Sequence, residues 1–172
     1  MITISIDAST KSTGLAIFED DKLLSTYNFT SSNKSVLKRI KYMTDEIETI
    51  YLPLKNEKVQ VVMEQVIPDN LNDAKWTRNQ ATFKALFYLQ AAIVLMFDHY
   101  GIEVELVGAS TWRKCCGIKQ GGANRETLKF RDIQFVKEKF NKEVNDDIAD
   151  AICIGYGKIN QKPEPTAFNW EW

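Results

Sequence analysis

Histidine is almost absent from this chain of 172 residues; His99 is the only one. With no second histidine, a His-based nucleophilic triad, a His-rich zinc hydrolase site and a His-metal finger nuclease are all disfavoured. His99 itself follows an apolar helical pattern and precedes Tyr100-Gly101, so it reads as a partly exposed residue near a helix C-terminus. Cysteine is scarce too. Cys115 and Cys116 are adjacent and Cys153 stands apart, which makes neither a disulfide framework nor the paired spacing of a structural zinc site. Reduced thiols fit a cytoplasmic protein. Met1–Thr10 lacks the basic start of a secretory signal, so none is expected. The longest apolar run, Ala85–Phe97, has 13 residues and contains Gln90; it reads as too short to span a bilayer, and no membrane association is expected. The chemistry of such a chain has to lean on carboxylates.

What is present begins with charge. The net charge is -1, but it is unevenly placed. Thr111–Lys142 holds nine Lys or Arg against three acids, a local surplus of six, and Glu143–Asp150 follows with four acids and no base. A basic block beside an acidic cluster suits a phosphate polymer handled at a metal-bound site, although a solvated helix face has the same composition.

The pattern along the chain predicts an α/β protein. Ile2–Asp7 alternates strictly, with Ile2, Ile4 and Ile6 on one face and Thr3, Ser5 and Asp7 on the other. Ser9–Gly14 reads as a polar turn. Leu15–Phe18 and Lys22–Phe29 flank Glu19-Asp20-Asp21 as a hairpin. An amphipathic helix over Lys34–Tyr51 carries the stripe Val36, Ile40, Met43, Ile47 and Ile50, and Val59–Glu64 is a mostly apolar strand. Pro68–Arg78 reads as a polar loop or frayed helix start. A long helix follows over Gln80–Tyr100, then a strand at Ile102–Val107. Further helices are predicted over Asn124–Phe140 and from an Asn145 N-cap to Asn160. Three strands in a meander followed by strand–helix alternation make a mixed sheet with helices packed on it.

Two acids end strands. Asp7 and Glu64 each close an apolar segment, at the strand ends where α/β sheets handle ligands. Either could simply cap a turn. In the last helix, Asp150 is the only charge within Ile148–Tyr156. Ile148, Ile152, Gly155 and Ile159 form its apolar stripe, while Ala151 and Ile154 place apolar residues beside Asp150 as well. A lone acid in such a helix is seldom merely solvated. Asp147 at i−3 and Asp146 at i−4 can both share its face, and an acidic first turn complementing the helix dipole accounts for those two without a site. If Asp7, Glu64 and Asp150 converge with one of them, the donors are all oxygens. Such a set suits magnesium or manganese rather than zinc, and a pair of such ions can serve phosphodiester hydrolysis.

Three segments together resemble the RuvC-type Holliday junction resolvases of the ribonuclease H-like superfamily. Asp7-Ala8-Ser9-Thr10-Lys11-Ser12-Thr13-Gly14 resembles their first-strand motif D-P-G-x-x-x-T-G, Met63-Glu64-Gln65-Val66 their E-Q-V motif, and Asp147-Ile148-Ala149-Asp150-Ala151 their closing D-x-x-D-A. The match in order covers about residues 1–160, and Ser110–Gly117 is most like the bacteriophage-encoded branch. The resemblance implies a ribonuclease H-like mixed five-stranded sheet, three strands antiparallel and then parallel, flanked by helices. It implies one nuclease domain over residues 1–160 with a tail at 161–172. Asp7, Glu64, Asp147 and Asp150 are then the catalytic residues and the ligands of two Mg2+ ions per site, replaceable by Mn2+. Arg113, Lys114, Lys119, Arg125 and Lys129 become the DNA-binding residues. The implied activity is metal-dependent cutting of four-way and other branched DNA, leaving 5′-phosphate and 3′-hydroxyl ends. A homodimer packed through the helix after the E-Q-V strand is also implied, located in a host bacterial cytoplasm if phage-encoded. The all-round apolar character of Ala85–Phe97 agrees with a partner helix, although a fully internal helix would look the same.

The chain departs from the family pattern in three respects. Ala8-Ser9 replaces Pro-Gly, Ile67 stands where many members carry an aromatic wedge, and the overall charge is less basic than a DNA binder's. Other functions compete. A sugar-kinase-like phosphate loop shares the Asp-to-Gly spacing, but that fold needs two lobes and this chain has length for one. A non-catalytic branched-DNA-binding module and a ribonuclease H acting on RNA–DNA hybrid use the same scaffold.

Overall fold

The structure is a computed structural model that describes residues 1–67 and 76–161, with the backbone alone at 76–79. The strands are β1 (Ile2–Asp7), β2 (Ser12–Glu19), β3 (Lys22–Thr30), β4 (Val59–Glu64) and β5 (Val104–Val107). The helices are α1 (Val36–Tyr51), α2 (Trp76–His99), α3 (Ala109–Cys115), α4 (Arg125–Phe140) and α5 (Asp146–Ile159). The five strands form one sheet in the order β3-β2-β1-β4-β5. β1, β2 and β3 pair antiparallel, while β4 runs parallel to both β1 and β5. This is the mixed sheet that the meander and the later strand–helix alternation predict.

Each face of the sheet carries its own core. Ile2, Ile4 and Ile6 of β1, with Leu15, Val61 and Met63, pack under Ile40, Met43 and Ile47 of α1 and Leu89, Ile93 and Phe97 of α2. The opposite face, with Ala16, Phe18 and Val62, is covered by α5 and by Trp112 of α3 and Val136 of α4. The alternation in β1 therefore separates two buried faces rather than core from water. Thr3 and Ser5 lie on the α5 side and are themselves buried. Ser5 can be there because its hydroxyl donates to the Ala151 carbonyl at 2.7 Å, and because α5 presents Gly155, where an added Cβ would fall 2.5 Å from Ser5 Oγ.

The element boundaries differ from the sequence pattern where tertiary pairing overrides composition. Ser12-Thr13-Gly14 belongs to β2, not to a turn, because Asp7 pairs with Gly14 on one side and Ser12 with Thr30 on the other. Helix α1 starts at Val36, with Ser35 as N-cap accepting from the Lys38 amide. Helix α2 starts at Trp76, four residues before the predicted Gln80; residues 68–75 of the predicted loop, and the tail beyond residue 161, lie outside the described residues. Helix α3 has no counterpart in the sequence pattern. It has only seven residues, and its N-cap, Gly108, has no side chain to signal it.

The apolar character of α2 also extends further than its uninterrupted run. Gln80–His99 is long and apolar enough to cross a membrane by length and composition, a span wider than the uninterrupted 13-residue run. In the fold this helix seats Leu89, Ile93 and Phe97 wholly in the core.

Candidate active site

Parallel pairing places the first two acids side by side. Ile6 of β1 pairs with Met63 of β4, so Asp7 and Glu64 follow as neighbours at the C-terminal ends of adjacent strands. Alternation sends both to the α5 face, since Asp7 shares the parity of Ser5 and Glu64 that of Val62. Helix α5 begins over this end of the sheet, with Asn145 accepting from the Ile148 amide as its N-cap. Its first turns deliver Asp147 and Asp150. Asp7, Glu64, Asp147 and Asp150 then line one cavity of about 410 Å³, together with Ala8, Ser9, Leu128 and the cations Arg113, Arg125 and Lys129. Acids separated by 143 positions thus face one space. Lys114 and Lys119 stand outside it and are exposed.

The electrostatics are those of crowded, desolvated carboxylates. Burial, reinforced by the neighbouring Glu64 and Asp147 charges and opposed by Lys129, pushes the Asp7 pKa from 3.8 up to about 8. Burial, then the charges of Asp7 and Asp132, pushes Asp150 up to about 9 against the opposing pull of Arg113. Burial also raises Glu64, while the hydrogen bond from Trp112 and the Arg113 charge hold it down. Such a cluster is held together by protons or by a cation.

Several residues that hold these acids were not evident from sequence. Trp112 is buried under α5, and its indole Nε1 donates to Glu64 Oε2 at 2.9 Å. Arg113 stacks its guanidinium 4.1 Å from the Trp112 ring centroid and forms a fork with Asp132, Nη2 reaching Oδ2 at 2.8 Å and Nε reaching Oδ2 at 3.0 Å. Asp132 is fully buried, so the predicted DNA contact Arg113 also serves as counter-ion to an interior acid. Ser12 donates its hydroxyl to Asp147 Oδ2, and Asn28 donates to Ser12 Oγ at 3.1 Å. Nothing in the sequence pattern links Ser12 or Asn28 to Asp147. They meet because β2 and β3 pass beneath the start of α5.

The structure also separates the adjacent pair that spacing left open. Asp146 is ion-paired with Lys129 of α4, which draws its pKa below 3.8, and it does not line the cavity. Asp147 does.

Among the described residues, no three Asp, Glu, His or Cys side chains are gathered into a ready-made metal cage. The donor set nevertheless fits a hard divalent cation. It is all carboxylate oxygen, and among the described residues no donor reaches the buried Asp150 Oδ1. An orphaned carboxylate oxygen in the interior is costly unless something completes it, and a cation does so while relieving the repulsion among its neighbours.

No protein-family model matches the sequence, and no curated protein matches it. Among solved structures, two of RuvC from Thermus thermophilus match nearly end to end. The form in complex with Holliday junction substrate is 15% identical, with 93% of each chain covered and a TM-score of 0.66. The second, described simply as the Thermus thermophilus RuvC structure, is 15% identical, covers 93% of this chain and 94% of that one, and has a TM-score of 0.68. The chain therefore has the ribonuclease H-like fold: a mixed five-stranded sheet flanked by helices.

Proposed function

We propose that this protein is a structure-selective endonuclease that cuts four-way (Holliday) junctions and related branched DNA. The observation that carries the reading is the convergence of Asp7, Glu64, Asp147 and Asp150 on one cavity, where among the described residues no donor reaches a buried Asp150 oxygen. The full-length likeness to a resolvase fold is consistent with it. The domain doing this work would be residues 1–160, acting in the cytoplasm. The likeness of Ser110–Gly117 to phage-encoded members supports a phage origin and a host bacterial cytoplasm.

Asp7, Glu64, Asp147 and Asp150 would hold two Mg2+ or Mn2+ ions. Such ions supply water activation and stabilisation of the leaving oxygen in phosphodiester hydrolysis, which would leave a 5′-phosphate and a 3′-hydroxyl. The chain's own cations have a separate task. Arg125 and Lys129 project from the start of α4 into the acidic cavity and would neutralise and orient the scissile phosphate. Lys114 and Lys119, exposed outside the cavity, would meet backbone phosphates further along. Trp112 holds Glu64 in place; it is a positioning residue.

The test is cleavage of a synthetic four-way junction, linear duplex and RNA–DNA hybrid with magnesium or manganese. Cutting of the junction alone supports the reading. Cutting of the hybrid alone would assign a ribonuclease H, and binding without cutting a recognition module. Trp112→Phe removes only the N–H donor, and the magnesium concentration for half-maximal cutting should rise about tenfold, as for other partners that orient a metal-binding group. An unchanged metal requirement would remove Trp112 from the site.

A homodimer is proposed through the outer face of α2. Phe87, Tyr88 and Leu95 are 45%, 59% and 67% exposed, and with Ala91 they form one stripe at helical spacing, opposite the buried Leu89, Ile93 and Phe97. Covering these side chains contributes about 25 cal/mol per Å² of apolar surface removed from water, and two-fold pairing of like stripes uses every one twice. Leu95→Glu should convert the dimer to monomer in sedimentation while leaving the circular dichroism unchanged. A wild-type chain that sediments as a monomer at micromolar concentration would overturn the proposal.

A further inference from the structure

A second cavity, of about 440 Å³, is lined by Lys11, Ser31, Ser32, Asn33, Lys34 and Arg39. Three of these carry positive charge and none carries negative. Among the described residues, no ion pair includes Lys11, Lys34 or Arg39. The walls are fixed by the backbone. The Ser31 amide donates to the Lys11 carbonyl at 2.9 Å, tying the β1–β2 loop to the segment before α1. Asn33 Oδ1 accepts from the Ser35 amide at 2.9 Å. Arg39 Nη1 donates to the carbonyls of Asn33 at 2.6 Å and Lys34 at 3.3 Å, which draws its guanidinium inward. Among the described residues, the Arg39 Nε is then buried without a hydrogen-bond partner. A fixed bowl with three uncompensated cations and a buried unpaired donor calls for an anion with several acceptor oxygens.

The position of the bowl selects which anion. The loop after Asp7 belongs to both cavities: Ala8 and Ser9 line the acidic one and Lys11 the basic one. Lys11 lies four positions after Asp7, so their Cα atoms are at most ~14 Å apart. Phosphates follow one another along a DNA strand at an axial rise of about 3.4 Å, so a span of this size keeps both cavities within a few nucleotides of one strand. We propose that Lys11, Lys34 and Arg39 form a phosphodiester-backbone site that grips the DNA within a few nucleotides of the bond to be cut. The choice of DNA as occupant rests on the nuclease reading. The bowl would supply positive charge that the net charge of -1 does not.

The experiment compares junction binding over a range of salt, in EDTA so that nothing is cut. It uses wild type, Lys11→Ala/Lys34→Ala, and Lys55→Ala/Lys58→Ala, which removes the same charge beyond the far end of α1. Each phosphate contact contributes about 0.9 to the slope of log affinity against log salt. The Lys11/Lys34 variant should therefore lose about 2 from that slope, and the Lys55/Lys58 variant should keep the wild-type slope. Equal slopes for all three, with a junction-cutting wild type, overturn the site and leave the nuclease reading intact. A wild type that binds with the predicted slope but cuts no substrate under magnesium or manganese overturns the nuclease reading and keeps the site. A wild type that binds no DNA overturns both. Inorganic phosphate is titrated separately; saturable binding that depends on Lys11 and Lys34, with no change in the DNA slope, would make this a small-anion site and overturn the assignment to DNA.

Discussion

Asp7→Asn and Asp150→Asn should each abolish metal-dependent junction cutting and, in the absence of metal, make the protein more stable. The two effects share one cause. Asp7 and Asp150 sit where burial and like charge raise their pKa values to about 8 and about 9. The unfolded chain releases these protons near pH 4, whereas the folded chain keeps them until pH 8–9. Between those limits the native state binds more protons, so its stability falls as pH rises. This is opposite to an acid stabilised by a salt bridge. An asparagine has the same shape and never ionises. Allowing for the proton being shared across the cluster and for relaxation of the site, each substitution should add about 1–2 kcal/mol near pH 8, or roughly 3–8 °C in Tm. The gain should vanish near pH 4.

Activity should move the other way. On the nuclease reading, each carboxylate lost would weaken the hold on a cation that would provide several kcal/mol of transition-state stabilisation, so cutting should fall by about 10³-fold or more. Magnesium should raise the Tm of wild type, because a cation held by the four acids would bind the folded state alone, and should do so less for either variant. Thermal melts with and without magnesium, at several pH values, check both arms. Asparagine variants that melt below wild type across the whole range, or that keep the full magnesium shift, would remove the acids from any shared cation site.

The parts of this site that could be read from sequence are those set by local pattern. Asp7 and Glu64 show because each ends a strand whose other residues are apolar or alternate. Asp150 shows because a lone charge within Ile148–Tyr156 needs a partner, and the helix is indeed buried on every side around it. What stayed hidden depends on distant pairing. Spacing could not separate Asp146 from Asp147; Lys129 on α4 and Ser12 on β2 do so, and neither is a neighbour in sequence. Trp112 carried no visible role because its helix is short and uncapped, and its partner Glu64 lies 48 residues away. Arg113 read as a surface contact, since nothing local shows that Asp132 is buried beneath it.

Gly14 shows how closely the fold and the site depend on each other. It pairs with Asp7 across β1 and β2, and α5 crosses directly above it. A Cβ at this position would fall 2.0 Å from the carbonyl oxygen of Asp147 and 2.5 Å from its carbonyl carbon. Both are backbone atoms at the start of a helix, so no rotamer change can relieve the contact. Gly14→Ala must therefore lift the first turn of α5 or displace β2. Overpacking of this kind costs about 1–3 kcal/mol or somewhat more, which should lower the Tm by roughly 3–10 °C. The turn that moves carries Asp147 and leads directly to Asp150, and a displacement of about 1 Å in a reacting group costs on the order of 10²-fold in rate. Cutting should therefore fall by about that factor even at temperatures where the variant is fully folded. Gly121→Ala is the control, because among the described residues a Cβ there meets nothing within 4 Å, and it should leave both Tm and cutting unchanged. A Gly14→Ala protein with wild-type melting and wild-type cutting would mean that α5 does not rest on β2 at this point, and the convergence of Asp7 with Asp147 would lose its support.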